Sequence, residues 1–340
     1  MKGAKGRRGG RPVIDFHAHV AFPDVVAFAR DHSVALNFQD DPRLSEEDRR
    51  KIREWAASRR ERMHETGDVR LRDMDEMGVD IQVVTGSLVH MCTYWADAET
   101  SLRVERGVND RLAEIVAKHP DRYVALGGVP LQAPDLAVGE LERCVKQLGL
   151  KGVQIGSRAG DVELGDARLR PFWAKAEALG AVVYMHPAGI TDKRFQKHQL
   201  WNSVGQLIEE TMAVASIMHE GVLDAFPKLK LCIAHGGGYM PYYTGRVDRN
   251  YFEKPSTRLD MSRSPSDYLK LLSYDSCVYD RETLEFLVHK VGADRIVMGS
   301  DYSVGELHPI EFVTDSKVIA PADKEKILST NAARLLGIAL

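Results

Sequence analysis

The feature that most constrains this 340-residue chain is an alternation of two periodicities. Short β-branched or apolar runs recur at residues 13–17, 81–86, 123–130, 152–156, 181–186, 229–235, 275–279 and 295–301. Between them lie charged, amphipathic stretches near 99–118, 135–148, 166–179, 205–220, 240–252 and 282–291, with a last one over 321–336. Apolar runs of this length followed by helical patterns predict buried parallel strands with helices on the outside. Eight such units predict an α/β protein, a (β/α)8 TIM barrel. An open doubly wound sheet is the alternative. It is weakened because no glycine-rich phosphate fingerprint follows the first run.

Composition narrows the class. Apolar residues make up 44 % and charged residues 28 %, with a formal net charge of −3. That balance suits a soluble globular protein and argues against a nucleic-acid partner. No window approaches 18 consecutive apolar residues, so no membrane span is expected. The opening "MKGAKGRRGGRP" is basic but lacks the apolar core of a signal peptide. Residues 1–12 are therefore read as a flexible basic tail, and 13–340 as one barrel domain. Cys92, Cys144, Cys232 and Cys277 are widely spaced and are read as reduced thiols of a cytoplasmic protein.

The first and second strands are separated by an insertion over about 21–68 that contains "LSEEDRRKIREWAASRRERMHE". Its alternating charge predicts a solvated helix. A βα connection also lies on the side of a barrel that carries active sites, so this one could cover a pocket.

The ends of the runs carry the chemistry. "VIDFHAHV" delivers His17 and His19, "VVYMHP" delivers His186, "LCIAHGGG" delivers His235 and "IVMGSD" delivers Asp301. Residues two apart on a strand point the same way, so His17 and His19 can chelate one ion. Asp15 has the same parity and is placed on the same inward face, either supporting a ligand or holding the barrel bottom. Four buried imidazoles and a carboxylate on one rim are costly without an ion. One divalent cation resolves that cost, and His/Asp ligation suits Zn2+ or a similar first-row metal.

Taken together, these motifs resemble the amidohydrolase superfamily, and more closely its 2-amino-3-carboxymuconate-6-semialdehyde decarboxylase-like branch. The resemblance extends over "VRLRDMDEMGVDIQVVT", "YWADAETSLRVERGVND", "RYVALGGVPLQAPDLAVGELERCVKQLGLKGVQIGS" and "FPKLKLCIAHGGGYMPYYTGR". It implies metal ligands at His17, His19, His186 and Asp301, with Zn2+ first and Mn2+, Co2+ or Fe2+ behind it. His235 would stay off the metal and act on its bound water as acid and base. Arg246 would bind substrate carboxylate across a homodimer interface, and Arg59 or Arg60 would do so from the insertion. Trp95, with Tyr94 before it, would line the pocket or simply pack.

The implied activity is non-oxidative decarboxylation of an aromatic or muconate-type carboxylic acid, with a hydrolase or hydratase on the same metal site as the alternative. This chain departs from the family's His-Pro-Trp-Asp pattern, having His186-Pro187-Ala188-Gly189, and it has a shorter segment after Asp301. Both segments border the substrate, so the pocket is expected to be altered while the metal machinery is kept.

Overall fold

The computed structural model describes residues 10–30, 43–188, 190, 192–195 and 197–340. Most of the basic tail and residues 31–42 of the insertion lie outside the described residues. Eight parallel strands form the barrel: β1 Ile14–Val20, β2 Ile81–Gly86, β3 in two pieces (Tyr123–Ala125 and Gly127–Gly128), β4 Gly152–Ile155, β5 Val182–Met185, β6 Lys230–Ile233, β7 Ser273–Asp275 and β8 Ile296–Val297. Neighbours pair in parallel around the ring. The ring closes where Phe16 N donates to Met298 O (2.8 Å) and His19 N donates to Tyr302 O (2.9 Å).

Alternation along each strand builds two cores. Phe16, Val83, Leu126, Val182, Tyr184, Cys232, Ala234 and Val297 fill the inside, joined by Ala332, Ala333 and Leu336 of the C-terminal helix. Val84, Val153, Val183, Leu231 and Ile296 face outward into a larger cluster with helical residues such as Leu112, Leu141, Trp173 and Ile217. Parallel strands buried on both faces explain why the runs are continuously apolar.

Among the described residues, the insertion holds α1 Pro23–Ala29 and α2 Glu46–His64, and α3 Asp68–Met77 follows it. The outer helices that matter below are α4 Ala98–Lys118, α5 Pro134–Lys146, α6 Arg170–Leu179, α7 Gln206–His219, α8 Val222–Ala225 and α9 Met240–Glu253. Asp97 starts α4 by accepting from Glu99 N and Thr100 N, which satisfies two free amides of its first turn. Helix α2 buries none of its residues, as its charge pattern predicts. Among the described residues, no helix is long and apolar enough to cross a membrane.

Two readings need correction. The seventh strand ends at Asp275 instead of beginning there. Asp15 does not share the face of His17. The β1–β2 register shifts between Asp15 and Ala18, and such an irregularity breaks the two-residue alternation. Asp15 turns instead toward Gln82 Nε2 (2.9 Å) and Ser300 Oγ (2.6 Å), and Gln82 in turn accepts from Arg70 of α3. It knits β1, β2 and the segment after β8 together beside the site.

Candidate metal centre

The strand ends bring His17, His19, His186, His235 and Asp301 together, as the sequence predicts. What orients them is a set of partners on their Nδ1 atoms. His17 Nδ1 donates to Asp275 Oδ2 (2.7 Å), and His186 Nδ1 donates to the Pro187 carbonyl (3.0 Å). His19 Nδ1 meets Thr85 Oγ1 at 3.1 Å. With Nδ1 protonated, the Nε2 lone pair is free to bind a cation. Burial lowers the pKa of His19 and drives that of His186 well down, so both rings are neutral.

The free donors converge. His17 Nε2 and His19 Nε2 are 3.0 Å apart, and Asp301 Oδ1 lies 3.4 and 3.3 Å from them. Metal–ligand bonds of about 2.0–2.1 Å at near-tetrahedral angles span edges of roughly 3.3 Å. Two imidazoles plus one carboxylate, already at ligand spacing, fit one divalent cation. Burial alone would raise Asp301, but His17 and His19 outweigh it and hold the carboxyl near 2. Asp301 Oδ2 accepts from the Tyr279 hydroxyl (3.0 Å).

His235 is held differently. Its Nδ1 faces Glu210 Oε1 of α7 at 2.5 Å, and both side chains are buried. Burial opposes the charged imidazole, but the Glu210 carboxylate prevails and raises the pKa of His235. Its ring stands 4.9 Å from that of His186 and 5.4 Å from that of His17. His235 and Asp301 both take positive φ, 47° and 54°. Non-glycine residues rarely do so, and the surrounding structure must impose it.

Glu210, Asp275 and Thr85 were not singled out in the sequence. Glu210 lies within an amphipathic helix where one more acidic residue carries no signal. Asp275 was visible, and ending the run "LLSYD" at Asp275 puts that carboxylate on the rim.

The arginines separate. Arg59 of α2 is half-buried and its Nη1 donates to the Ser303 carbonyl (2.5 Å), while Ser303 Oγ donates to Arg59 O (2.7 Å). It therefore reaches the loop just beyond Asp301. Arg60 is exposed, bonds back to Ala56 O (3.1 Å) and lines a groove with Pro23, Val26 and His64 away from the metal donors. Arg62 is engaged by Asp73 (2.9 Å). Arg246 is exposed on α9. Trp95 packs its ring 5.9 Å from that of Phe28, joining the β2 loop to the insertion. His198 and His308 are exposed, whereas His90 is buried, with Nδ1 against Ser87 Oγ and Nε2 accepting from Phe22 N.

Fold and site define a (β/α)8-barrel enzyme with a donor set for one divalent cation on its catalytic rim. The chain belongs to the amidohydrolase family, whose model, described as Amidohydrolase, matches residues 14–338. It is 35 % identical over 275 residues to 2-amino-3-carboxymuconate-6-semialdehyde decarboxylase of Dictyostelium discoideum, covering 80 % of this chain and 76 % of that protein. The crystal structure of 2,6-dihydroxybenzoate decarboxylase complexed with 2,6-dihydroxybenzoate matches with a TM-score of 0.84 at 27 % identity, covering 97 % of this chain and 100 % of that one. A dihydroxybenzoic acid decarboxylase from Polaromonas sp. JS666, with bound manganese and 2-nitroresorcinol, matches with a TM-score of 0.83 at 26 % identity, over 96 % and 97 % of the two chains. These relatives are carboxy-lyases.

Proposed function

We propose that this protein is a metal-dependent, non-oxidative decarboxylase of an aromatic or muconate-type carboxylic acid. The observation that carries the reading is the convergence of His17 Nε2, His19 Nε2 and Asp301 Oδ1 beside the buried His235–Glu210 pair. His17, His19, His186 and Asp301 hold the cation. Zn2+ suits these donors, and the manganese bound to the Polaromonas relative makes Mn2+ its competitor. When bound, such an ion supplies Lewis acidity and lowers the pKa of a coordinated water.

The chain's own residues do the rest. Arg59, at the rim beside Ser303, pairs with the substrate carboxylate, which guanidinium binds through two parallel hydrogen bonds. His235 moves the proton at Nε2, because Nδ1 is committed to Glu210. Proton delivery to the carbon that bears the carboxylate lets the electrons of the breaking C–C bond restore the double bond as CO2 leaves. His235 then regains a proton from solvent. Glu210 is a positioning residue that keeps His235 charged and aimed.

Arg246 acts on a second copy of the chain. It lies on α9, which also exposes Tyr243 and Phe252 (71 % and 64 % exposed), large rings that a homodimer could cover. The test is metal analysis combined with a screen of acidic aromatic and muconate compounds for CO2 release without net water uptake. Release of CO2 that tracks metal content is the expected result. Net hydration or hydrolysis would assign the site to the alternative chemistry.

A further inference from the structure

The strand ends hold a second polar feature, apart from the metal donors. A recess opens among the ends of β2, β3 and β4, lined in part by Gly86, His90, Thr93, Glu105, Gln154 and Gly156. It is small, with room for about one water-sized group. It adjoins groups that hold two of the site's imidazoles. Gly86 follows Thr85, which holds His19, and the Ile155 carbonyl beside Gln154 accepts from His186 N (2.9 Å).

Its polar groups are incompletely used. Gln154 is buried, only 7 % exposed; its Nε2 donates to Gly86 O (2.9 Å), while its Oε1 has no partner among the described residues. A buried acceptor left unpaired costs free energy unless something donates to it. Glu105 reaches in from α4 and is 4 % exposed, and among the described residues its one hydrogen bond is a long 3.4 Å contact from Cys92 N to its Oε1. A Cβ at Gly128 would stand 1.9 Å from Glu105 Oε2, so glycine there is what admits the carboxyl to the strand ends. Among the described residues, no lysine or arginine lines the recess.

Resting on the decarboxylase reading above, we propose that this recess is a specificity subsite. It takes an uncharged hydrogen-bond-donating substituent of the substrate, a hydroxyl or amino group, onto Gln154 Oε1 and the Glu105 carboxyl. A second carboxylate is disfavoured because, among the described residues, no cationic side chain lines the recess to meet it. Burial pushes Glu105 up to about 8 and His90 down to about 3, so the lining is neutral near pH 7. Glu105 can then both donate and accept.

The test is calorimetric binding of benzoate, 3-hydroxybenzoate, 3-aminobenzoate and 2,6-dihydroxybenzoate to the metal-loaded protein, for wild type, Gln154→Leu, Glu105→Leu and the size-matched Glu105→Gln. Wild type is expected to bind a hydroxyl or amino compound about tenfold tighter than benzoate, the scale of one well-made buried hydrogen bond. In Gln154→Leu and Glu105→Leu that ratio should fall to about twofold or less, with benzoate affinity unchanged. If Glu105→Leu does not fold, Gln154→Leu still decides, and the size-matched Glu105→Gln, which keeps a donor and an acceptor, should retain the ratio. A ratio that survives in the folded leucine variants, or no preference in wild type, overturns the subsite while leaving the decarboxylase reading intact. Failure of all four carboxylates to bind wild type overturns both.

Discussion

Glu210 Oε1 on α7 lies 2.5 Å from Nδ1 of His235 at the end of β6, and neither group is reached by solvent to any useful extent. The pair joins a helix to a strand end 25 residues further along the chain. A buried carboxylate on one ring nitrogen fixes which nitrogen is left to face the substrate. Glu210→Gln should therefore lower kcat by about 10- to 100-fold, with KM and metal content little changed. Steady-state kinetics and elemental analysis check this. Loss of metal, or a change confined to KM, would count against the role.

Ligands and proton carrier should separate by metal content. Asp301→Ala removes a donor at ligand spacing from two imidazoles, so both metal and turnover should be lost. His235→Ala should keep the metal and lose turnover by about 10²- to 10⁴-fold. Metal loss in His235→Ala would place that ring on the ion.

Arg59 and Arg60 are adjacent in the sequence but have different surroundings. Arg59→Ala removes a guanidinium at the Ser303 loop and should weaken kcat/KM by roughly 10- to 100-fold, the scale of a lost charged hydrogen bond. Arg60→Ala should change it less than about twofold, as befits an exposed side chain. Equal losses in the two variants would contradict the placement.

If Arg246 serves a second copy, it can be complemented. Mixing Arg246→Ala with Asp301→Ala should recover a measurable fraction of wild-type turnover, up to about one quarter for random dimers with one intact site. No recovery in a preparation shown to contain mixed dimers would assign Arg246 to its own chain.

Glu105 gives the fold a pH dependence. Its carboxyl is raised from an ordinary 4.5 to about 8 because burial penalises the charge. Folding therefore favours the protonated form. The associated stability is full below the unfolded value and is lost as pH rises from about 4.5 to 8. Urea unfolding at pH 5 and pH 8.5 should show wild type losing on the order of 3 kcal/mol more than Glu105→Gln. Parallel losses in the two proteins would show that Glu105 is ionised without penalty.

The sequence by itself determined the barrel and the cluster of His and Asp side chains on its rim. Both are local signals: apolar runs of strand length separated by amphipathic stretches, and polar residues at the run ends, where a parallel barrel must place them on one rim. His17, His19, His186, His235 and Asp301 were legible for that reason. Tertiary structure decided what those signals cannot encode. The register shift in β1 turned Asp15 away from the face that strict alternation assigned to it. The docking of α7 and α4 chose Glu210 for His235 and brought Glu105 to the strand ends, although each is one acidic residue among many on a helix. The packing of α2 against Ser303 separated Arg59 from Arg60. Periodicity states which face of an element is buried, but not which partner that face meets. That depends on how elements distant in the chain are brought into contact.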